Sequence, residues 1–357
     1  MPTVLVVEDD PIMRFIQLAL DDATTAERRA AFADFVAHDV PDFDAWRRRV
    51  RAQASSLWPV EVRLVSNQEE LAARLEDAHA AVVESLQIRA SDIARARELR
   101  AVQKFGATLR NIDTAACADR GIRVLTLRRR ANIACAEHAF ALIFMLARRL
   151  HEFHGVISRE RLEAAGLPFR AFDRRHAPNG NWGRIPGLRS LYGSTLGVIG
   201  MGEIGREIAL RAAAFGMQVI YFQRSRLSAA DERALHTQYV ALDDLLGRSD
   251  WIVPQLPAGP ATRHFLDAER LAKIKKGACI VNVARADLVE RAALIDALAA
   301  GRLGGFALDP QYEAPGRDDD ELLRFANVIL APHLGGSPRW NALSDCEELI
   351  AGLARVL

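Results

Sequence analysis

A glycine-rich turn between two apolar segments is the part of this 357-residue chain that most directly predicts chemistry. The turn, Gly200 to Gly205, reads Gly-Met-Gly-Glu-Ile-Gly; a β-branched strand pattern precedes it, and a helix pattern and a second strand follow. In that context the first glycine permits a tight turn, the second admits a pyrophosphate, and the third lets helix and strand pack closely. The helix N-terminus offers N–H groups to the phosphates. The sequence therefore predicts a dinucleotide site rather than an ordinary surface turn, with contacts from Gly200, Gly202, Glu203, Ile204 and Gly205.

The end of the second strand bears on which dinucleotide is bound. An Asp or Glu there would accept hydrogen bonds from the adenosine ribose of NAD. This chain instead has Gln223, followed by Arg224, Ser225 and Arg226. Two guanidinium groups and a hydroxyl can bind a 2′-phosphate, and no carboxylate repels it. The pattern favours NADP(H); the alternatives are NAD, with Gln223 serving the ribose, and a basic loop without a ligand.

Composition limits the classes of protein to consider. The length suits two domains, and half of the residues are hydrophobic. A formal net charge of +1 gives no overall field for nucleic acid or an anionic membrane. Four widely separated cysteines lack metal-type spacing and predict reduced thiols in a cytoplasmic protein without a metal site. No signal-peptide pattern opens the chain, and the longest apolar run, 139–147, is too short to span a bilayer.

The elements that position these residues alternate between strand and helix patterns, which is typical of parallel sheets with helices on both faces. The sequence therefore predicts an α/β fold. A strongly apolar helix at 137–151 is expected at an interface, and an arginine-rich excursion at 152–190 is expected to hold little regular structure. Before the glycine turn, strands are predicted at 3–8, 60–66, 80–84, 101–104 and 122–126, and helices at 25–56, 68–76 and 91–98; the tail, 337–357, is predicted to be helical.

Paired acids follow the first strand and invite a second interpretation. Glu8, Asp9 and Asp10 resemble the opening of a phosphoacceptor receiver domain. Such a domain also needs an aspartate after a later strand, and the corresponding stretch, 47–60, has none. The acids are therefore expected to form a solvated strand end.

Several separate motifs resemble one family, the D-isomer-specific 2-hydroxyacid dehydrogenases, over most of the chain from about residue 102 to 336. Each motif is weak alone, but their order and spacing are specific. Residues 1–100 match far less clearly, and 21–58 looks like an added helical segment. The motifs are the glycine turn, Gln103–Gly106, Asn111–Asp113, Asn132–His138, Leu256–Pro257 with Thr262–Arg263, Val281–Arg285, Ala307–Asp309 and Ala331–Gly336.

The resemblance implies hydride transfer between NAD(P)H and a small 2-oxo acid or D-2-hydroxy acid, such as glyoxylate or hydroxypyruvate. Arg285 matches the catalytic arginine, whose guanidinium can hold a carboxylate and polarise a carbonyl. His333 matches the acid/base histidine, a residue type whose ordinary pKa of about 6.5 suits reversible proton transfer. The backbone N–H groups of Phe105, Gly106 and Ala107 match the carboxylate-binding loop, and Asp309 matches the residue that holds the nicotinamide carboxamide; further cofactor contacts are expected from Pro257, Thr262, Ala284 and Gly335.

One departure from the family pattern concerns the third catalytic residue. The family has a glutamate five positions after the aspartate, directly before a proline, where it pairs with the histidine. Here Ala314 occupies that position, and Glu313, one residue earlier, is the nearest carboxylate. One step along extended backbone turns a side chain to the other face. Either Glu313 serves as the partner in a reshaped loop, or the partner is missing.

The resemblance also implies an architecture and a partner. It predicts two doubly wound domains, a flavodoxin-like substrate domain (1–129 and 333–357) and a Rossmann-type dinucleotide domain (130–332), with the active site in the cleft between them. A homodimer through 137–151 and 152–190 is expected, and no nucleic acid or membrane partner is. The basic run Arg128–Arg130 is expected to be a solvated hinge; the alternative is that it helps to recognise a polyanionic substrate or the cofactor phosphate. The competing function is a dinucleotide-binding sensor or scaffold that has lost turnover, which Ala314 keeps open.

Overall fold

The computed structural model describes residues 2–357 and contains strands and helices in near-regular alternation. The strands are β1 Thr3–Glu8, β2 Val60–Val65, β3 Ala80–Val83, β4 Ala101–Lys104, β5 Arg123–Leu125, β6 Thr195–Ile199, β7 Gln218–Phe222, β8 Thr237–Tyr239, β9 Trp251–Pro254, β10 Cys279–Asn282, β11 Gly305–Leu308 and β12 Val328–Leu330. The helices are α1 Arg14–Leu20, α2 Ala26–Val36, α3 Phe43–Gln53, α4 Gln68–Arg74, α5 Ala90–Arg95, α6 Thr114–Asp119, α7 Arg130–Arg148, α8 Leu150–Phe153, α9 Arg159–Ala164, α10 Glu203–Ala214, α11 Ala229–Ala234, α12 Leu242–Arg248, α13 Ala268–Lys273, α14 Arg291–Ala299 and α15 Trp340–Ala354.

The chain divides into two compact units. One comprises the residues up to Ala134 together with Gly336–Leu357 and is called the N-terminal unit; the other, Cys135–Gly335, is called the central unit. Each unit holds one sheet in which all strand pairs are parallel. The predicted α/β class with two parallel sheets is therefore confirmed.

The N-terminal unit has the strand order β2-β1-β3-β4-β5. Apolar clusters cover both faces of this sheet, as expected when helices shield a parallel sheet from water. The added segment 21–58 contributes α2 and α3, and its Phe32, Phe43 and Trp46 surround the ring of Phe15 on α1. The predicted single helical stretch is thus split: α3 starts anew where the Asp42 side chain accepts the Ala45 N–H at 2.7 Å.

The acids at the end of β1 do not form the simple solvated strand end that the sequence predicts. Glu8 is buried, and its carboxylate accepts the N–H groups of Glu84 at 2.7 Å, Ser85 at 2.9 Å and Leu86 at 3.0 Å. These groups follow β3, the neighbour of β1 at the point where the strand order reverses. Such a switch point commonly receives a ligand. Here the chain's own carboxylate occupies it.

The central unit has the strand order β12-β11-β10-β9-β6-β7-β8, so its order reverses between β6 and β9. Helix α7 contributes Ala139, Phe140 and Ile143 to the core on one face of this sheet. By length and composition α7 alone, among residues 2–357, could cross a membrane, and half of its apolar stretch is buried. The excursion at 152–190 contains the end of α8 and one short helix, α9, and is otherwise irregular.

Candidate active site

The glycine turn after β6 requires glycine at two positions. Gly200 has φ of +101°, and a Cβ atom there would lie 2.4 Å from the Gln255 carbonyl oxygen. A Cβ on Gly205 would lie 2.4 Å from the Gly200 carbonyl oxygen, so this glycine brings α10 close to the turn. Both roles are those expected of a dinucleotide-binding turn.

The same turn has room for a dinucleotide. A Cβ on Gly202 would meet no atom within 4 Å. Gly202 is also the N-cap residue of α10, and no side chain caps this end of the helix. Gln255 follows β9 and adjoins the glycine turn, and its buried Nε2 has no hydrogen-bond partner among the described residues. An open backbone, an uncapped helix N-terminus and an unused donor fit the phosphates and polar groups of a nicotinamide dinucleotide.

The loop after β7 commits two of the four residues predicted to select the cofactor. The Gln223 amide accepts the Met201 N–H at 3.1 Å and donates to the Ser225 carbonyl at 2.6 Å, so it joins the glycine turn to this loop. Arg226 donates to both carboxylate oxygens of Glu232, at 2.8 and 2.7 Å. Arg224 is exposed and makes no hydrogen bond or ion pair with residues 2–357.

Glu232 is held in its ionised form by this arrangement. Arg226, together with the hydroxyl of Tyr221 at 2.8 Å from Oε1, lowers the pKa of the Glu232 carboxyl to about 2. Burial raises the pKa of Tyr221 to about 12, so its hydroxyl remains a donor. The two side chains tie β7 to α11, and they leave Arg226 with a counter-ion of its own.

Arg285 lies directly beyond β10 as an exposed cation. Its Nη1 donates to the Ala284 carbonyl at 2.7 Å, and no carboxylate in the described part of the chain pairs with it. The buried Asn282 holds the turn, because its amide donates to the Arg285 carbonyl at 2.7 Å and accepts the Ala284 N–H at 3.0 Å. The strand end therefore presents a guanidinium whose remaining donors are available to an anion.

Asp309, directly beyond β11, is 1% exposed and organises the loop that carries His333. Its Oδ1 accepts the Leu334 N–H at 2.7 Å, and its Oδ2 accepts the Gly335 N–H at 2.8 Å. His138 Nε2 lies 3.1 Å from Oδ1. Burial raises the pKa of the Asp309 carboxyl, but His138 and the two N–H groups outweigh burial and hold the pKa below its ordinary value. An expected nicotinamide contact would have to use the lone-pair capacity that remains.

His333 is exposed, and its backbone has φ of +60°. Its N–H donates to the Asp309 carbonyl at 3.1 Å, whereas its imidazole makes no hydrogen bond or ion pair with residues 2–357. Glu313 is exposed in the loop after β11, beside Arg317, and is not paired with His333. No described carboxylate binds the imidazole, and neither Glu313 nor Ala314 supplies the partner that the family pattern has.

The loop after β4 corrects one predicted substrate contact. The Phe105 N–H donates to the Val83 carbonyl at 2.8 Å, because it continues the parallel pairing of β3 with β4. It is therefore not available to a substrate carboxylate. Gly106 has φ of +148°, and its carbonyl accepts the Leu127 N–H at 2.8 Å. The substrate contacts predicted from Gly106 and Ala107 stay predictions.

Two further residues contact each other beside that loop: Arg129, from the basic run, and Glu84, which the sequence analysis does not single out. Arg129 lies 4.1 Å from the centre of the Phe105 ring and donates to Glu84 at 2.8 Å. Burial raises the pKa of the Glu84 carboxyl, and Arg129 opposes this rise. Arg130 pairs with Asp345 at 3.0 Å, so two of the three arginines of the basic run are held by ion pairs rather than simply solvated. The sequence signals for this cluster are a polar residue directly after β3 and the run of arginines.

The remaining predicted cofactor residues lie around the same carboxyl edge of the central sheet. Thr262 Oγ1 donates to the Pro257 carbonyl at 2.6 Å, which closes the loop after β9. Ala284 and Gly335 lie in the turns that hold Arg285 and His333. Across the strand order the edge therefore carries, one after another, His333, Asp309, Arg285, Gln255, the glycine turn and Gln223.

Comparisons with known proteins agree with this arrangement. Residues 140–335 match the family model described as D-isomer specific 2-hydroxyacid dehydrogenase, NAD binding domain, which is more than half of the chain. A glyoxylate reductase of Thermococcus kodakarensis is 33% identical over 301 residues, covering 83% of this chain and 84% of that protein. A D-3-phosphoglycerate dehydrogenase of Methanocaldococcus jannaschii is 34% identical over 279 residues, covering 78% of this chain but only 49% of that protein.

Solved structures show the same fold. A crystal structure of a Pyrococcus horikoshii protein is similar with a TM-score of 0.62 and 25% identity, covering all of this chain and 92% of that one. The apo D-mandelate dehydrogenase of Rhodotorula graminis has a TM-score of 0.57 at 23% identity, covering 98% of this chain and 93% of that one, and supports the fold alone. The match to the NAD-binding domain and the similarity to the Thermococcus kodakarensis protein show that the chain belongs to the D-isomer-specific 2-hydroxyacid dehydrogenases.

Proposed function

We propose that this protein reduces a small 2-oxo acid to the D-2-hydroxy acid with NADPH, and that glyoxylate and hydroxypyruvate are its best substrates. The observation that carries the proposal is the order of groups along the carboxyl edge of the central sheet. His333 and Arg285 follow β12 and β10, whereas the glycine turn and Arg224 follow β6 and β7. At about 4.8 Å per strand, the ends of β7 and β10 are roughly 14 Å apart, a distance that an extended dinucleotide can bridge.

Arg285 is assigned to the substrate carboxylate. Its guanidinium is exposed at a rigid strand end, has no counter-ion in residues 2–357, and can form two parallel hydrogen bonds to a carboxylate. A remaining donor can stabilise negative charge that develops on the carbonyl oxygen.

His333 is assigned to the carbonyl oxygen. Bound NADPH would supply hydride to the carbonyl carbon of the substrate, and the carbonyl oxygen would then need a proton. The His333 imidazole is exposed and free of other hydrogen bonds within residues 2–357, and the backbone that carries it is fixed by Asp309. Reduction therefore requires the protonated imidazole as general acid.

The preference for NADPH rests on the loop after β7. Gln223 has replaced the carboxylate that would bind the ribose of NAD, and its amide is engaged with the backbone of Met201 and Ser225. Arg224 and the Ser225 hydroxyl are open to a 2′-phosphate. Arg226 is a weaker contributor, because Glu232 neutralises it.

A dinucleotide-binding sensor or scaffold is the competing function. Its support is the absence of a carboxylate partner for His333 in the described structure, since Ala314 stands where the family has glutamate. A sensor would bind NADPH without turning over any 2-oxo acid.

A homodimer forms part of the proposal. Three large apolar side chains of the central unit are exposed on α8, in the excursion and just after it: Leu150 at 55%, Ile157 at 84% and Tyr192 at 82%. Exposed apolar side chains can contribute to an interaction surface, and a second copy of the chain is the occupant that the family membership supports.

Initial rates with a panel of 2-oxo acids, measured separately with NADPH and NADH, test the proposal. The expected result is turnover of glyoxylate or hydroxypyruvate with NADPH preferred. Tight NADPH binding without turnover of any acid would favour the sensor, and a preference for NADH would remove the assignment of Arg224.

A further inference from the structure

A buried histidine outside the predicted catalytic set contacts the residue that holds the His333 loop. His138 lies on α7, and its Nε2 is 3.1 Å from Oδ1 of Asp309. The Nε2 atom is buried and has no aligned hydrogen bond to any described residue. Asp309 Oδ1 is the carboxylate oxygen at ion-pair distance from this atom.

In this contact the Asp309 carboxylate can act only as the hydrogen-bond acceptor. The pKa of the Asp309 carboxyl lies below its ordinary value, so the group is ionised and can only accept hydrogen bonds. Oδ1 already accepts the Leu334 N–H, and Oδ2 accepts the Gly335 N–H. A buried carboxylate is stable only when several donors compensate for lost hydration. A protonated His138 Nε2, 3.1 Å from Oδ1, can supply a third donor from a different element.

Asp309 passes this restraint to His333 through the backbone. The loop residues on the C-terminal side of His333 donate to its carboxylate, and the His333 N–H donates to its carbonyl. His333 itself has φ of +60°, a left-handed conformation that is uncommon for residues other than glycine, and the hydrogen bonds to Asp309 flank it on both sides. The position of the imidazole therefore depends on where the Asp309 carboxylate lies.

We propose that His138 is a positioning residue for the reaction: through Asp309 it fixes the loop from His333 to Gly335 and so places the His333 imidazole at the substrate oxygen. The proposal rests on the proposed function of His333 as proton donor. His138 has no hydrogen bond to His333 in the described structure, so it acts through Asp309 and not on the proton itself.

A pair of variants at position 138 separates the donor from the packing. His138→Leu fills similar space without an N–H, whereas His138→Gln can place an amide N–H where Nε2 lies. We expect His138→Leu to lower kcat by about tenfold to a hundredfold, the size of effect that a misplaced catalytic group produces. We expect His138→Gln to restore most of kcat. The Kd for NADPH, measured by fluorescence titration, and the KM for the acid should change little in both.

The glycines of the loop provide an independent test. A Cβ on Gly335 would lie 2.8 Å from Asp309 Oδ2, whereas a Cβ on Gly336 would meet nothing within 4 Å. Gly335→Ala should therefore displace the carboxylate and reproduce the loss of kcat seen in His138→Leu. Gly336→Ala is the matched control and should keep wild-type kcat.

The controls separate this inference from the function on which it rests. Wild-type protein should turn over the acid, and His333→Gln should abolish turnover; a failure of either result contradicts the proposed function. If both hold and His138→Leu keeps wild-type kcat at an unchanged melting temperature, the positioning role is wrong. Equal loss in His138→Leu and His138→Gln, or a loss of NADPH affinity with kcat intact, would also overturn it.

Discussion

At the scale of single residues, Arg285 owes its availability to what surrounds it. The turn after β10 is held by the Asn282 amide, and the guanidinium commits only Nη1, to the Ala284 carbonyl. We expect Arg285→Lys to lower kcat/KM for a 2-oxo acid by about a hundredfold or more, because an ammonium cannot form the paired hydrogen bonds. NADPH binding should be retained. Catalytic efficiency near that of wild type would remove Arg285 from the mechanism.

His333 lacks a carboxylate partner, and this makes a prediction for the pH dependence of reduction. Ala314→Glu places a carboxylate where the family has one, which favours the imidazolium form. The fall in kcat/KM with rising pH should then move upward by about one unit or more. Glu313→Gln should leave the profile unchanged, since Glu313 lies beside Arg317 instead.

The pH profiles are to be measured with a solvent isotope effect, which shows whether proton transfer limits the rate. A profile that moves to lower pH in Glu313→Gln would identify Glu313 as the partner. A profile that neither substitution moves would mean that another group tunes the proton donor.

Several residue roles were beyond prediction because their partners are distant in sequence. Glu8 is bound by N–H groups about 76 to 78 positions later. The Phe105 N–H belongs to a strand pair, which a motif match does not reveal. Arg285 and His333, by contrast, follow strand patterns that the sequence shows clearly, so their place at the sheet edge could be predicted.

At the scale of elements, the connection between β7 and α11 decides the cofactor. Arg224→Ala should weaken NADPH binding by about tenfold to a hundredfold, because a charge-assisted phosphate contact contributes about 1.5–3 kcal/mol. NADH binding should change little. The measurement is the Kd of each cofactor. Equal losses for both would contradict the phosphate role.

The Glu232 pair in the same connection is expected to restrain Arg226. Glu232→Gln removes the counter-ion, so Arg226 becomes available to the 2′-phosphate and NADPH should bind more tightly, with NADH unaffected. Cofactor titrations of this variant beside wild type check the expectation. Weaker NADPH binding would mean that the pair shapes the phosphate site rather than blocking it.

The same carboxylate makes the stability of the fold depend on pH. Its pKa is lowered from 4.5 to about 2, so its contribution is fully present above pH 4.5 and is lost as pH falls toward 2. Urea unfolding should show wild type more stable than Glu232→Gln at neutral pH, with the difference vanishing at about pH 2. A difference that does not vary with pH would contradict the linkage.

The regular alternation of strand and helix patterns made most elements predictable. The elements in irregular segments could not be predicted in the same way. The strands of both sheets follow apolar runs, whereas α1 is a short helix directly after the acids and was missed. The helical stretch from 25 to 56 carries no strong apolar periodicity in its first half, so the break at residues 37–42 could not be placed. α7 begins at Arg130, seven positions before the predicted start.

At the scale of the whole molecule, the proposed dimer can be tested at one exposed residue. Ile157 is 84% exposed in the excursion, and Leu323 is 56% exposed on the short 3-10 helix Glu321–Arg324, far from the excursion in sequence. Ile157→Asp should convert a dimer into a monomer in sedimentation velocity, because a buried unpaired charge is costly. Leu323→Asp, the matched control, should remain dimeric. A monomeric wild-type protein would contradict the assignment.

The central claim is that this chain catalyses stereospecific reduction and does not merely bind a dinucleotide. The most direct measurement follows hydroxypyruvate with NADPH, comparing NADPH consumed with hydroxy acid formed and resolving the product by chiral chromatography. The account predicts one D-glycerate for each NADPH oxidised in wild type, and none in His333→Gln that still binds NADPH. The L-isomer, or NADPH binding without any hydroxy acid from wild-type protein, would contradict it.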